Sequence, residues 1–397
     1  MNAEQAQAVT LLDPAVLKQA RESLAKEGSL KTRAFLEQSL SAEVARAVLD
    51  VCDCQLRFQD KFEQAERWLL TREAAEQATR STLAAWRAAY LRERLTTLSQ
   101  LTELGTGIGG DSVYLSQNFQ LEGFERDPAR ALLATANVRR LNPAALPHQI
   151  RPVSGRAEQL RGELLFVDPA RRDGGRKFHP QDWDPPLSSL VGLDSFQAVA
   201  VKAAPGIPTE IVAREFELHF LSYRGELKEA MLLQSPDRSQ PRHAWLWPRQ
   251  QAKPLHREGH PALAVTRPPV AGEYLLDPDP ALLRSGLLGA FAAPLQAGVV
   301  HPKIGYLSSP SPSPDPWAAS FRILEVTPLK WKALSQALLA LDWHDFEYLG
   351  RGVPFSQNEV LTRLKKAKSK MTGRIRGSVI IYRAETDYQV VLAERES

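Results

Sequence analysis

Cysteine is almost missing from this chain: of 397 residues, only Cys52 and Cys54 are cysteines. Two thiols cannot build a disulfide framework or a complete zinc site, so two reduced thiols on one helix are expected. No window holds eighteen uninterrupted apolar residues, which predicts no spanning helix and no membrane partner. The opening Met1-Asn-Ala-Glu-Gln-Ala-Gln7 lacks a basic flank followed by an apolar run, so no signal peptide is expected. Together these absences predict a cytoplasmic protein. The eight histidines are scattered, and no metal is assigned to them. Glycine is absent between Gly28 and Gly105, which suits packed helices and little else.

What is present is the composition of a globular protein, 43% hydrophobic and 24% charged, long enough for two or three domains. A net charge of +4 leans basic and is compatible with a polyanionic partner. Nothing in the sequence indicates an oligomeric state. Up to residue 95 apolar residues recur at helical spacing, as in Val44, Ala47, Val48 and Val51, and a helical domain is expected over 1–95. Near residue 98 the period changes. Short apolar runs (97–104, 119–125, 148–153, 163–168, 196–202) alternate with helical stretches such as 127–141, which predicts a parallel, doubly wound sheet over 96–235. Two strands near 215–223 and 229–233 are expected to close it, with a turn at Tyr223-Arg-Gly-Glu226. The stretch 235–269 reads as a loop or exposed hairpin, and 308–316, rich in Ser and Pro, as a mobile surface loop. The remainder of 236–397 reads as mixed α/β, with a capping box at Ser356 and Glu359.

The informative stretch is Glu103-Leu-Gly-Thr-Gly-Ile-Gly-Gly-Asp111. Gly105, Gly107 and Gly110 satisfy a G-x-G-x-x-G pattern, which by itself fits either a dinucleotide or another adenosine cofactor. Glu103 separates the two. A carboxylate there suits the cationic amino and sulfonium groups of S-adenosylmethionine and would repel a pyrophosphate. Glu125 ends the next strand, where an acid accepts from ribose hydroxyls. Gly105, Thr106, Gly107, Gly109, Asp111 and Arg126 are the remaining candidates on this edge. Asp111 and Asp127 are equally well read as helix-start acceptors.

With Glu76-Gln-Ala-Thr79, Phe166-Val-Asp-Pro-Ala-Arg-Arg172, Val201-Lys-Ala-Ala-Pro-Gly206 and Gly225-Glu-Leu-Lys-Glu229, this loop resembles the bacterial class I S-adenosylmethionine-dependent methyltransferases that carry a C-terminal THUMP-like domain. The core is more distantly similar to trimethylguanosine synthases and other RNA-guanine methyltransferases. The resemblance implies a Rossmann-like methyltransferase sheet between an N-terminal helical domain and a mixed α/β THUMP-like domain at about 320–397. It implies that the segment with Gln77 and Thr79 folds over the cofactor. Amino-group methyltransferases place D/N-P-P-aromatic after the fourth strand, where the acid orients the target amine. Asp168 and Pro169 match, while Ala170 and Arg171 depart, so Arg171 and Arg172 are read as stacking on a base or holding a phosphate. Lys202 is expected at the substrate mouth. The densest basic run, with Lys365, Lys366 and Arg374, is expected to meet RNA phosphates. RNA is thus the expected partner and a nucleobase amine the expected acceptor. A protein or small-molecule acceptor, or an inactive RNA-binding relative, stay open as alternatives.

Overall fold

The computed structural model describes residues 1–171, 180–212, 214–235 and 241–396. The chain divides into two compact units, Met1–Phe216 with Met231–Ser239, and Glu217–Ala230 with Gln240–Ser397.

The first unit opens with helices α1 (Ala3–Thr10), α2 (Pro14–Glu27), α3 (Ser29–Leu36), α4 (Ala42–Arg57), α5 (Arg72–Gln77) and α6 (Ser81–Arg94). Their starts are encoded locally: Asp13 accepts from the Ala15 N–H ahead of Pro14, and Ser41 accepts from the Val44 N–H. Val48, Val51, Cys52 and Gln55 form the buried stripe of α4. Burial raises the Cys52 thiol to about 12 and the Cys54 thiol to about 11. Both cysteines are free and stay protonated at neutral pH, as expected of inert thiols.

The sheet elements follow: β1 (Gln100–Leu104), α7 (Ser112–Leu115), β2 (Gln120–Phe124), α8 (Pro128–Leu141), β3 (His148–Arg151), β4 (Gly162–Val167), the short β5 (Ala170–Arg171) and β6 (Trp183–Asp184), β7 (Phe196–Ala203) and α9 (Thr209–Val212). The order is β7-β4-β1-β2-β3, and all four pairings are parallel. The chain steps outward from β1 to β3, then returns to β4 on the other flank of β1. That reversal opens a crevice at the carboxyl ends of β1 and β4, where open α/β sheets bind their ligands. The helices share one apolar core with the sheet: Ala6, Leu17, Val48, Trp68 and Leu91 cluster with Leu101, Leu121, Leu164 and Phe166.

Next come β8 (Glu217–Tyr223) and β9 (Glu226–Gln234), joined at Arg224 and Gly225, both with positive φ, as the turn reading expected. The second unit continues with β10 (Arg242–Trp247), β11 (Leu255–Gly259), β12 (Tyr274–Pro278), α10 (Pro280–Ser285), α11 (Leu288–Ala292), β13 (Gly298–His301), β14 (Ile304–Ser309), β15 (Ala318–Pro328), α12 (Trp331–Ala340), β16 (Trp343–Arg351), α13 (Gln357–Lys368), β17 (Ile375–Arg383) and β18 (Tyr388–Arg395). The stretch expected to hold an exposed hairpin contains antiparallel β10 and β11, but β10 is buried because it also runs parallel to β8. Strands β12, β13 and β14, which the sequence did not announce, enlarge the C-terminal sheet to seven strands, β13-β14-β12-β15-β18-β17-β16. The Ser/Pro loop read as mobile is tied down: Ser313 N donates to Ser320 Oγ, and Asp315 pairs with Arg257 at 3.0 Å. The capping box of α13 is present in both directions. Among the described residues no helix is long and apolar enough to cross a membrane.

Candidate functional site

Register decides what meets at the crevice. Leu104 pairs with Phe124 on one side and Val167 on the other, so Gly105, Glu125 and Asp168 emerge together at one edge. The Asp168 N–H donates to Leu104 O at 2.9 Å, and the Gly105 N–H donates to Phe124 O at 3.0 Å. Gly105, Gly107 and Gly109 all have positive φ, at 83°, 60° and 82°. Gly105 is required twice over, since a Cβ there would stand 2.4 Å from Asp168 O. At Gly107 a Cβ would meet nothing within 4 Å, so the turn leaves open space over its backbone. Gly110, without a positive φ, packs against Ala78.

A charged cluster stands behind this turn. Glu103 on β1 is 1% exposed and accepts from Ser112 Oγ at 2.6 Å. Burial raises its carboxyl to about 8, and the nearby Asp111 and Asp168 push in the same direction. Asp111 accepts from Thr79 Oγ1 at 2.8 Å and forms an ion pair with Arg87, a fully buried arginine of α6. Lys202, next to Val201 in register with Val167, sets its ammonium 2.6 Å from Asp168 Oδ2 and 3.8 Å from Asp111 Oδ2. Two carboxylates paired with two cations therefore share the crevice with the carboxyl of Glu103.

The helix-start reading of Asp111 is corrected: it makes no side-chain cap on α7, because Arg87 and Thr79 hold its carboxylate. Asp127 does cap α8, accepting from the Ala129 and Arg130 N–H groups. Glu125 Oε2 accepts from the Gly107 N–H at 2.8 Å and Oε1 from the Asp127 N–H at 2.9 Å, so this acid pins the loop. Buried Thr106 donates its hydroxyl to Phe124 O at 3.2 Å. Of the segment before the sheet, Ala78 and Thr79 reach the loop, whereas Gln77 is exposed and turns to Glu73. Arg126 is exposed, 3.7 Å from Asp184. Pro169 follows Asp168 at the edge and Arg171 lies in β5, while Arg172 lies outside the described residues. Arg87 escaped sequence reading, although an arginine on the apolar stripe Leu83, Ala84, Ala88 and Leu91 was its signal.

A parallel sheet with a glycine turn at the end of its first strand and acids ending the second and leaving the fourth defines a Rossmann-like α/β cofactor-binding protein. No protein-family model matches the chain. Two uncharacterized S-adenosylmethionine-dependent methyltransferases, from two strains of Mycobacterium tuberculosis, are 31% identical to it over 317 residues, 77% of this chain and 83% of theirs. The crystal structure of a candidate methyltransferase from Porphyromonas gingivalis W83 superposes with a TM-score of 0.73 at 18% identity, covering 100% of this chain and 97% of that one, a likeness of fold. The chain belongs to the S-adenosylmethionine-dependent methyltransferases. It is a methyltransferase, and S-adenosylmethionine is its cofactor.

Proposed function

We propose that this methyltransferase acts on a nucleobase amine in RNA. The carrying observation is Asp168-Pro169 at the carboxyl edge of β4, with the Asp168 carbonyl against Gly105 of the glycine turn. S-adenosylmethionine supplies an electrophilic methyl group. The residues present fit it. Open space lies over Gly107. Arg87 and Lys202 already balance Asp111 and Asp168, so Glu103, once a cationic ligand draws it into its ionised form, supplies the one negative charge that complements a cofactor bearing a sulfonium, an ammonium and a carboxylate. In this reading Gly105, Thr106, Gly107 and Gly109 shape the cradle, and Glu125 presents its carboxylate to the ribose while pinning Gly107. Thr79 and Asp111 close the methionine end. Gln77 and Arg126, both exposed, reach the cofactor only from its solvent side.

Asp168 accepts an N–H of the acceptor amine and so fixes the direction of the nitrogen lone pair. Lys202 occupies one carboxylate oxygen and leaves the other, on a side chain 36% exposed, for the amine. A strong base is not required, because orientation rather than deprotonation is the main demand on the site.

Glu103 gives this reading a pH signature. In the free protein its carboxyl ionises only near about 8. A cationic ligand favours the ionised form, so binding releases a proton and affinity for S-adenosylmethionine rises with pH until about 8, then levels. Calorimetry at neutral pH in two buffers of different ionisation enthalpy measures that proton. Zero release would remove Glu103 from the cofactor's electrostatics.

The C-terminal region, proposed as THUMP-like over about 320–397, would hold the RNA. Lys365 and Lys366 project from α13 as exposed side chains, whereas Lys368 is tied to Asp345 at 2.6 Å and Arg374 to Asp342 at 3.0 Å. Exposed and ion-paired cations thus divide the run, and Lys365 and Lys366 are the stronger phosphate contacts. Affinity for a single-stranded RNA should fall with salt, by about 0.7 in the log–log slope per phosphate neutralised. Replacing both lysines by glutamine should flatten that slope. A slope near zero in the unaltered protein would redirect the assignment to a protein or small-molecule acceptor.

A further inference from the structure

One face of β8, β10 and β11, in the second unit, gathers histidine, carboxylate and indole groups that methyl transfer does not use. The alternation of strands places Glu217 and His219, His243 and Trp245, and His256 and Glu258 on that face. Register aligns them: His219 opposes His243, Trp245 opposes His256, and His243 opposes Glu258. We propose that His243, His256 and Glu258 form a binding site for one divalent transition-metal ion, with Glu217 behind it as the carboxylate that orients His243.

The tautomers carry the argument. Trp245 Nε1–H can only donate, and it donates to His219 Nδ1 at 3.2 Å. The proton of neutral His219 is therefore on Nε2, which faces Glu217 Oε1 at 3.0 Å. The same oxygen lies 2.8 Å from His243 Nε2, without the alignment of a hydrogen bond, and an acceptor that close favours the proton on that nitrogen. His243 Nδ1 is thereby left with its lone pair, directed away from Glu217. Toward that lone pair converge His256 Nε2 at 2.9 Å and Glu258 Oε2 at 3.6 Å. Donors of a tetrahedral zinc site, with bonds of about 2.1 Å, stand about 3.4 Å apart, a value these two distances bracket.

The surroundings match what metal sites require. Glu217 and His243 are buried, with side chains 2% and 4% exposed, so the carboxylate–histidine pair is shielded from water. The Trp245 ring lies over His256 at 3.8 Å between centroids and 11° between planes, which fixes the imidazole's orientation. Glu258 is 64% exposed, so the third ligand borders solvent and an ion has a way in. Two imidazoles and a single carboxylate favour a borderline ion such as Zn²⁺ or Co²⁺ over Ca²⁺ or Mg²⁺, which prefer all-oxygen ligands. His219 is excluded from the ligand set by its tautomer. It packs beside Glu217, with Nε2 3.0 Å from Oε1.

The test uses the untagged full-length protein, stripped with a chelator and titrated with Co²⁺ and Zn²⁺. One equivalent of Co²⁺ is expected to bind with visible d–d absorption that Zn²⁺ displaces. His256→Asn and Glu258→Gln alter the solvent-facing ligands and should each weaken the metal by about tenfold or more. Far-UV dichroism and S-adenosylmethionine affinity should be unchanged in both. Glu217→Gln should cost about 10–100-fold in metal affinity by acting through His243 alone. Absence of stoichiometric binding, or equal affinity in the unaltered protein, His256→Asn and Glu258→Gln, would overturn the proposal.

Discussion

Arg87→Met is expected to destabilise the first unit by about 3–5 kcal/mol, the usual cost of stranding one partner of a buried ion pair. Arg87 is fully buried on α6 and neutralises Asp111, whose side chain is 6% exposed. Methionine matches the aliphatic stem and its packing near Phe166, so what is lost is mainly the charge. Adding Asp111→Asn should recover most of the loss, because the asparagine still accepts from Thr79 and leaves no orphaned carboxylate. Urea midpoints for the two variants measure this. Equal midpoints in the single and double variants would show that Arg87 acts through packing and not through Asp111.

Asp168→Ala is expected to lower methyl transfer by at least about 100-fold while S-adenosylmethionine affinity stays within a few-fold. The alanine removes the acceptor that orients the incoming amine but leaves the glycine turn and Glu125 in place. Asp168→Asn keeps an acceptor oxygen and loses the 2.6 Å ion pair with Lys202, so an intermediate rate is expected. Single-turnover kinetics with a methylatable RNA separate the chemical step from binding. Full turnover in Asp168→Ala would remove Asp168 from the mechanism.

The parts of the site legible in the sequence are those fixed by local chemistry. Glu103, the glycines and Glu125 sit on one strand–turn–helix–strand unit, so their spacing in sequence nearly determines their placement in space. Asp168 was legible because a fourth strand beside the first delivers its end to the same edge. For Asp111 the sequence leaves a site role and a helix-start role equally open, since its partner Arg87 comes from a helix folded against the sheet, and only tertiary packing selects ion pair over helix cap. Lys202 was placed at the mouth, yet its contact with Asp168 depends on β7 lying beside β4. Strands β12 to β14 escape a reading of the sequence because such short strands lack a clean alternation. The histidine face shows the same limit. His256-Arg-Glu258 carried an H-x-E spacing, but what His243 contributes appears only once β10 and β11 are paired.

The most direct test of the account compares modified nucleosides, by mass spectrometry, in RNA from cells lacking this protein and from cells complemented with it. An amine-methylated nucleoside is expected to disappear on deletion and to return with the unaltered protein, but not with Asp168→Ala. Identical nucleoside profiles in all three strains would contradict it.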